Sequence, residues 1–193
     1  TPITALSMSS KRALQKKVYD EKILTNISIS TKQLYSIYQS LAYLNFSSQT
    51  QALEKLELKP ILLQSIEYYS ELIRAKNITI DKEIEDSSLQ GVTSRLELLF
   101  SNLISNAIKY SMPNTTIKII LKEDYFSIED EGVGIAENKL QDIFKLYERS
   151  SNVAGGFGVG LSIVKQICDE YGIRVAIESK VEVGSKFILT WKK

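Results

Sequence analysis

The 193 residues are 44% hydrophobic and 24% charged, with 24 Lys and Arg against 23 Asp and Glu. The balance excludes gross electrostatic attraction to nucleic acid or membrane, and nine Gly with three Pro are too few for a disordered or collagen-like chain. A lone cysteine, Cys168, excludes a disulfide framework, and the absence of any histidine excludes His-based acid–base catalysis, His metal sites and Ser–His–Asp triads within the chain. No apolar run approaches the ~20 residues a bilayer span needs, and no signal peptide precedes the first helical pattern, so the chain reads as a soluble, intracellular piece.

Charge and periodicity both change near residue 50. Residues 1–50 carry six Lys/Arg against two Asp/Glu, a net +4, and residues 51–193 carry 18 against 21, a net −3. Pro2 suits a first helical turn, and Ile3, Leu6, Ala13, Leu14 and Val18 continue a helical stripe. A tight turn is expected at 18–21, with Asp20 capping a second helix. From Ile23 to Phe46 the positions Ile23, Ile27, Leu34, Ile37, Leu41 and Leu44 follow a heptad in which Ser30 fills one slot. The stretch Asn26–Thr31 alternates partly like a strand. Two apolar positions in seven make the narrow seam of a bundle or coiled-coil helix. Such a hairpin (residues 1–48) cannot bury its seam alone, so it either folds back on the rest of the chain or pairs with a second copy as a four-helix bundle.

After the polar linker 47–52, the region 51–193 mixes strands and helices. A short strand is expected at 55–58, a helix from Pro60 to Lys76, a strand at 78–84 and a long helix from Val92 to Tyr110. Strands at 116–122 and 125–130 read as neighbours, followed by helices at 137–147 and 159–171 and strands at 174–180 and 185–191. Long helices among antiparallel strand pairs predict an α+β fold, a two-layer sandwich with a mixed sheet and helices on one face.

Three segments of this region carry the chemistry. In NLISNAIKYS (102–111), Asn102 and Asn106 lie one turn apart on one helix face, although Asn is a poor mid-helix residue. Its amide oxygen is a suitable hard ligand for Mg²⁺, while Lys109 and Tyr110 can offer a phosphate contact and an aromatic wall. Taken alone, the two Asn are equally two exposed polar residues. In DEGVGI (130–135), Asp130 ends a strand as a hydrogen-bond acceptor, and Gly132 and Gly134 permit close backbone approach, although DxGxG is also a common turn. In GGFGVGLSIVK (155–165), Gly156, Gly158 and Gly160 run into an amphipathic helix, a candidate anion cradle. It has neither the dinucleotide-fingerprint spacing nor a P-loop lysine.

Taken together and in this order, the three segments resemble the ATP-binding domain of sensor histidine kinases, in the superfamily that also holds DNA gyrase, a heat-shock chaperone and the mismatch-repair ATPases. The resemblance covers 51–193 and implies ATP and Mg²⁺ as cofactors. It implies an N box at Asn102 and Asn106, with Asn106 on the metal and Lys109 and Tyr110 beside the nucleotide. It implies Asp130 on the adenine amino group, with Gly132, Gly134 and Ile135 lining the nucleotide. It places Phe144 and Tyr147 at the base of a mobile lid, and Arg149 near the terminal phosphates. Gly156, Gly158, Gly160 and Leu161 would belong to the second glycine box.

The same resemblance reinterprets the N-terminus. Thr1-Pro2-Ile3-Thr4 looks like the end of an H-E-x-x-T-P motif whose acceptor histidine and acidic neighbour lie outside the chain, with Thr1 in the position that orients water for dephosphorylation. The implied protein is a histidine kinase. It would dimerise through residues 1–48, pass phosphate to a response-regulator receiver domain, and form the cytoplasmic portion of a sensor whose membrane segments lie upstream. Nucleic acid is not an expected partner. Two departures stand out: the segment before Gly156 is short for a lid, and Tyr171-Gly172-Ile173 replaces the usual His-Gly-Gly. The competing functions are a non-catalytic nucleotide-binding or dimerisation module and a chaperone- or mismatch-repair-type ATPase.

Overall fold

Two helices, α1 (Pro2–Lys16) and α2 (Glu21–Phe46), pack along each other in the first of two units, which comprise residues 1–47 and 48–193. The structure is a computed structural model that describes residues 2–16, 21–46, 52–145 and 158–191. The expected turn at 18–21 with its Asp20 cap, and most of the linker 47–52, lie outside the described residues. The strand-like alternation of Asn26–Thr31 is overridden: the segment is helical within α2, and the Thr31 hydroxyl donates back to the Ile27 carbonyl at 2.9 Å. A β-branched residue with a locally satisfied hydroxyl fits a helix once the flanking turns propagate it. The heptad is only partly covered. Of its positions Ile23 and Ser30 are buried, Ile27, Leu34, Ile37 and Leu44 are half-buried, and Leu41 is 47% exposed.

The second unit opens with β1 (Glu54–Glu57), which passes directly into α3 (Leu58–Tyr68) and α4 (Ser70–Ala75). One helix beginning at Pro60 was expected. Pro60 lies instead in the first turn of α3, where its missing N–H costs nothing. The helix breaks at Tyr69, whose ring is buried and whose hydroxyl lies 2.7 Å from the Ser101 hydroxyl. Next come β2 (Thr79–Ile84) and β3 (Ser88–Gly91), the latter unannounced in the sequence. It owes its existence to antiparallel pairing with β1, Leu56 opposite Leu89. The long helix α5 (Thr93–Tyr110) leads to β4 (Thr116–Lys122) and β5 (Tyr125–Asp130). Where a helix at 137–147 was expected, the chain forms a 3-10 turn at Glu137–Lys139 followed by further turns through Lys145, and residues 146–147 lie outside the described residues. Then come α6 (Gly160–Glu170), β6 (Arg174–Lys180) and β7 (Gly184–Thr190).

Five strands form one mixed sheet in the order β2-β4-β5-β7-β6, with β2 and β4 parallel and the other neighbours antiparallel. Strand period then decides which side chains meet the helices. Ile117, Ile119 and Leu121 of β4, Phe126 and Ile128 of β5, and Phe187 and Leu189 of β7 are all buried. α5 packs on β5 between α3 and α6, and Phe100 meets Phe126 at a ring-centroid separation of 5.1 Å. Each such fully buried side chain contributes about 1.5–3 kcal/mol of transfer free energy. An ion pair between buried Arg95 on α5 and Glu170 on α6 joins the start of one helix to the end of the other. Tyr171 reaches the same end of α5, its hydroxyl accepting the Val92 N–H at 3.0 Å. The contact is made by the Tyr171 of Tyr171-Gly172-Ile173, the segment that stands in place of the usual His-Gly-Gly.

Candidate nucleotide site

The strand period that buries Phe126 and Ile128 also turns Asp130 inward. The residue is 6% exposed, and its Oδ1 is buried with no hydrogen-bond partner among the described residues. Burial pushes its pKa up to about 6, partly opposed by the Gly132 and Ser185 backbone N–H groups, while Glu129 adds to the rise. A buried acceptor left open costs free energy unless a donor arrives. In the sheet Asp130 stands opposite Ile117 on one side and Ser185 on the other, and Ser185 stands opposite Ser179. The two serine hydroxyls are 2.9 Å apart, and Ser179 Oγ accepts the Ile135 N–H at 2.8 Å. A polar row therefore closes one end of an otherwise apolar sheet.

Gly132 has to be glycine for two reasons. A Cβ there would overlap the Tyr110 carbonyl and lie 2.6 Å from Asp130 Oδ1, filling the space that the open oxygen faces. Gly134, at φ +65°, is explained differently from the sequence expectation: its missing side chain makes room for the Lys180 backbone of the β6–β7 hairpin. The loop is pinned to its surroundings by a Ser111–Gly132 bridge and by the Glu182 N–H donating to the Val133 carbonyl at 3.0 Å. Gly184, the first residue of β7, is needed too, because a Cβ there would overlap the Asp130 carbonyl.

The two Asn residues of α5 have different surroundings. Asn102 is buried, its Nδ2 donating to the Leu98 carbonyl at 2.8 Å and its Oδ1 lying 2.6 Å from where a Gly160 Cβ would be. The reading of both as exposed polar residues is corrected by that contact, which brings the Asn helix against the start of α6. Asn106, one turn on, is half-buried and its amide makes no hydrogen bond among the described residues, leaving a neutral oxygen for a hard cation. Lys109 Nζ lies 3.0 Å from the Tyr110 hydroxyl and 4.6 Å from its ring centroid.

Ile135 is buried at the end of the loop, and Phe144 and Leu161 are half-buried. Gly158 takes φ +71° just before α6. Thr1, Tyr147, Arg149 and Gly156 lie outside the described residues. Sequence reading missed Ser179, Ser185 and Lys76. Ser185 was legible, since it shares the inward alternation of Phe187 and Leu189. Lys76 was not, because it acts on a helix 32 residues away in sequence. Among the described residues no helix is long and apolar enough to cross a membrane, and no group of three or more His, Cys, Asp or Glu could hold a metal.

Helices layered on a mixed sheet make an α+β sandwich, and at one end of that sheet an inward carboxylate lies beside a glycine loop, with an Asn-bearing helix against a Gly-led one. Residues 91–193, more than half of the chain, match the family described as histidine kinase-, DNA gyrase B-, and HSP90-like ATPases. The chain belongs to that family, and the curated relatives it matches include sensor proteins and sensor histidine kinases. It is 35% identical over 132 residues to the sensor protein BasS of Escherichia coli, covering 66% of this chain and 36% of BasS. It is 28% identical over 180 residues to a sensor histidine protein kinase of Streptococcus pneumoniae, HK06, covering 89% and 40%. The chain thus spans about two fifths or less of these relatives. Among solved structures, the catalytic domain of histidine kinase ThkA superposes with a TM-score of 0.61 at 25% identity, over 72% of this chain and 96% of that one. The mycobacterial sensor histidine kinase MprB gives a TM-score of 0.61 at 21% identity, over 71% and 95%.

Proposed function

We propose that this chain is the catalytic core of a sensor histidine kinase. It binds Mg²⁺–ATP and transfers the γ-phosphoryl group to a histidine on a dimerisation helix, from which it passes to an aspartate of a response-regulator receiver domain. The observation that carries the reading is the open, buried oxygen of Asp130 above Gly132, an acceptor matched to an exocyclic amino group. Asp130 would fix the adenine, Gly132 and Ile135 would line it, and Lys109 and Tyr110 would approach the phosphates and the ring. Asn106 would ligate Mg²⁺, which when bound neutralises phosphate charge during transfer. The backbone N–H groups at Gly158, Gly160 and Leu161 would lie at the start of α6, an end favourable to anions. The roles assigned to Thr1, Phe144, Tyr147, Arg149 and Gly156 rest on the family resemblance. Solved relatives include ShkA with AMPPNP and ThkA with the response regulator TrrA. A location in the cytoplasmic portion of a membrane sensor is part of the same proposal.

Calorimetric titration with ATP and GTP, each with and without Mg²⁺, tests the nucleotide reading. ATP should bind and GTP should bind poorly, because guanine presents a carbonyl where adenine presents the amino group Asp130 requires. Equal affinities would remove Asp130 from the base pocket.

The hairpin is proposed to pair with a second copy. Leu24, Tyr35, Tyr38 and Leu41 are large apolar or aromatic side chains left exposed on α2, the kind of surface a bundle partner covers. Leu41→Asp would place an unpaired charge in that contact and should convert dimer to monomer in sedimentation. An unchanged mass would count against the bundle.

A further inference from the structure

Helix α5 ends without the usual device. Its last carbonyls need partners, commonly supplied by backbone N–H groups after a left-handed glycine. Here the residue after Tyr110 is Ser111, held at φ −59° and ψ 145° because it bridges to Gly132. The Ser111 N–H still donates to the Ala107 carbonyl at 2.9 Å, but an extended residue then carries the chain away from the helix axis, so the following residues do not turn their N–H groups back onto the last carbonyls. The Lys76 ammonium takes their place. Its Nζ donates to the carbonyls of Ile108 at 2.7 Å, Lys109 at 3.0 Å and Ser111 at 3.0 Å, while its own carbonyl accepts the Asn114 N–H at 3.1 Å. The next residue, Asn77, reaches the same turn through Nδ2 to Asn114 Oδ1 at 2.7 Å. Partial burial lowers the Lys76 pKa below the ordinary lysine value. All three ammonium protons are thus spent on one helix end whose partial charge is negative.

What that end carries decides the consequence. Lys109 and Tyr110 occupy its last two positions, and the Tyr110 carbonyl accepts the Val133 N–H at 3.4 Å, joining the helix to the glycine loop. We propose that Lys76 is a positioning residue for nucleotide binding: by capping α5 it holds Lys109 and Tyr110, and the glycine loop bonded to them, in the geometry that receives ATP. The proposal rests on the nucleotide reading above. Lys76 touches no nucleotide and acts through the helix end.

The test uses the whole 193-residue chain, with ATP affinity measured by calorimetry at a temperature where circular dichroism shows every variant fully folded. Lys76→Met keeps the stem and removes the cation, and should weaken ATP binding about tenfold, the usual scale for residues that orient a binding group. Lys76→Arg restores a charge but cannot bring one nitrogen onto three carbonyls, so it should recover part of that loss. In a Lys109→Met/Tyr110→Leu background, Lys76→Met should have little further effect, whereas a purely structural role would leave its effect additive. Should Lys76→Met fail to fold, Lys76→Arg carries the same cycle, with a several-fold loss that disappears in the double-variant background. Unchanged ATP affinity in the folded variants, or full additivity, overturns the positioning role alone. Failure of the unsubstituted chain to bind ATP overturns the nucleotide reading and this proposal with it.

Discussion

Replacing Asp130 with asparagine should weaken ATP binding by about 10- to 150-fold, the equivalent of a charge-assisted hydrogen bond of roughly 1.5–3 kcal/mol. The same substitution should stabilise the nucleotide-free chain at neutral pH, so its two effects have opposite signs. The carboxyl has a pKa raised to about 6 by burial, against an ordinary value of 3.8. A raised folded-state pKa means the fold favours the neutral acid. The associated stability is fully present below about pH 4 and is lost as pH rises through about 6. Above that range Asp130→Asn removes a buried charge, and a gain of about 1–3 kcal/mol in denaturant unfolding is expected. Nucleotide affinity runs the other way. On the proposed role the ionised carboxylate accepts from the adenine amino group, so ATP binding should fall as pH drops below 6. The ATP phosphates titrate in the same region, and the ratio of wild-type to Asp130→Asn affinity isolates the side chain. A ratio independent of pH from 5 to 8 would contradict the assignment.

A second large effect is expected in phosphoryl transfer. The chain contains no histidine, so incubation with γ-labelled ATP should leave it without acid-labile, base-stable label. An extended chain bearing His-Glu-x-x ahead of Thr1 should acquire it. Asn106→Asp in that extended chain should abolish labelling, because a neutral oxygen ligand is exchanged for a charge close to the phosphates. Base-stable labelling of the 193-residue chain itself would refute the missing acceptor. Labelling of the extended Asn106→Asp chain at the unsubstituted rate would refute the metal role. The two experiments are independent, since Asp130 is proposed to act on the base and Asn106 on the phosphate end.

The sequence by itself determined the elements whose signals are local and long. α5 and α6 follow from sustained 3.6-residue periodicity, β4 through β7 from alternation bounded by turn residues, and the three motif segments from residue types unusual for a core. It also determined that no histidine chemistry resides within the chain. Asp130 was legible because strand alternation fixes the face of every second residue once Phe126 and Ile128 are known to be buried. The break at Tyr69 was not legible, because it follows from a ring finding its place beside Ser101. Nor was β3, a strand only because β1 lies beside it, or the loss of helix at 137–145. The glycines show the same division. Their positions are plain in the sequence, but only tertiary structure shows that Gly132 clears both the Tyr110 carbonyl and the open carboxylate, while Gly134 and Gly184 clear backbone alone. The Lys76 cap is the extreme case: a helix end is completed by a side chain from another element, and its effect depends on contacts across the fold that no local pattern encodes.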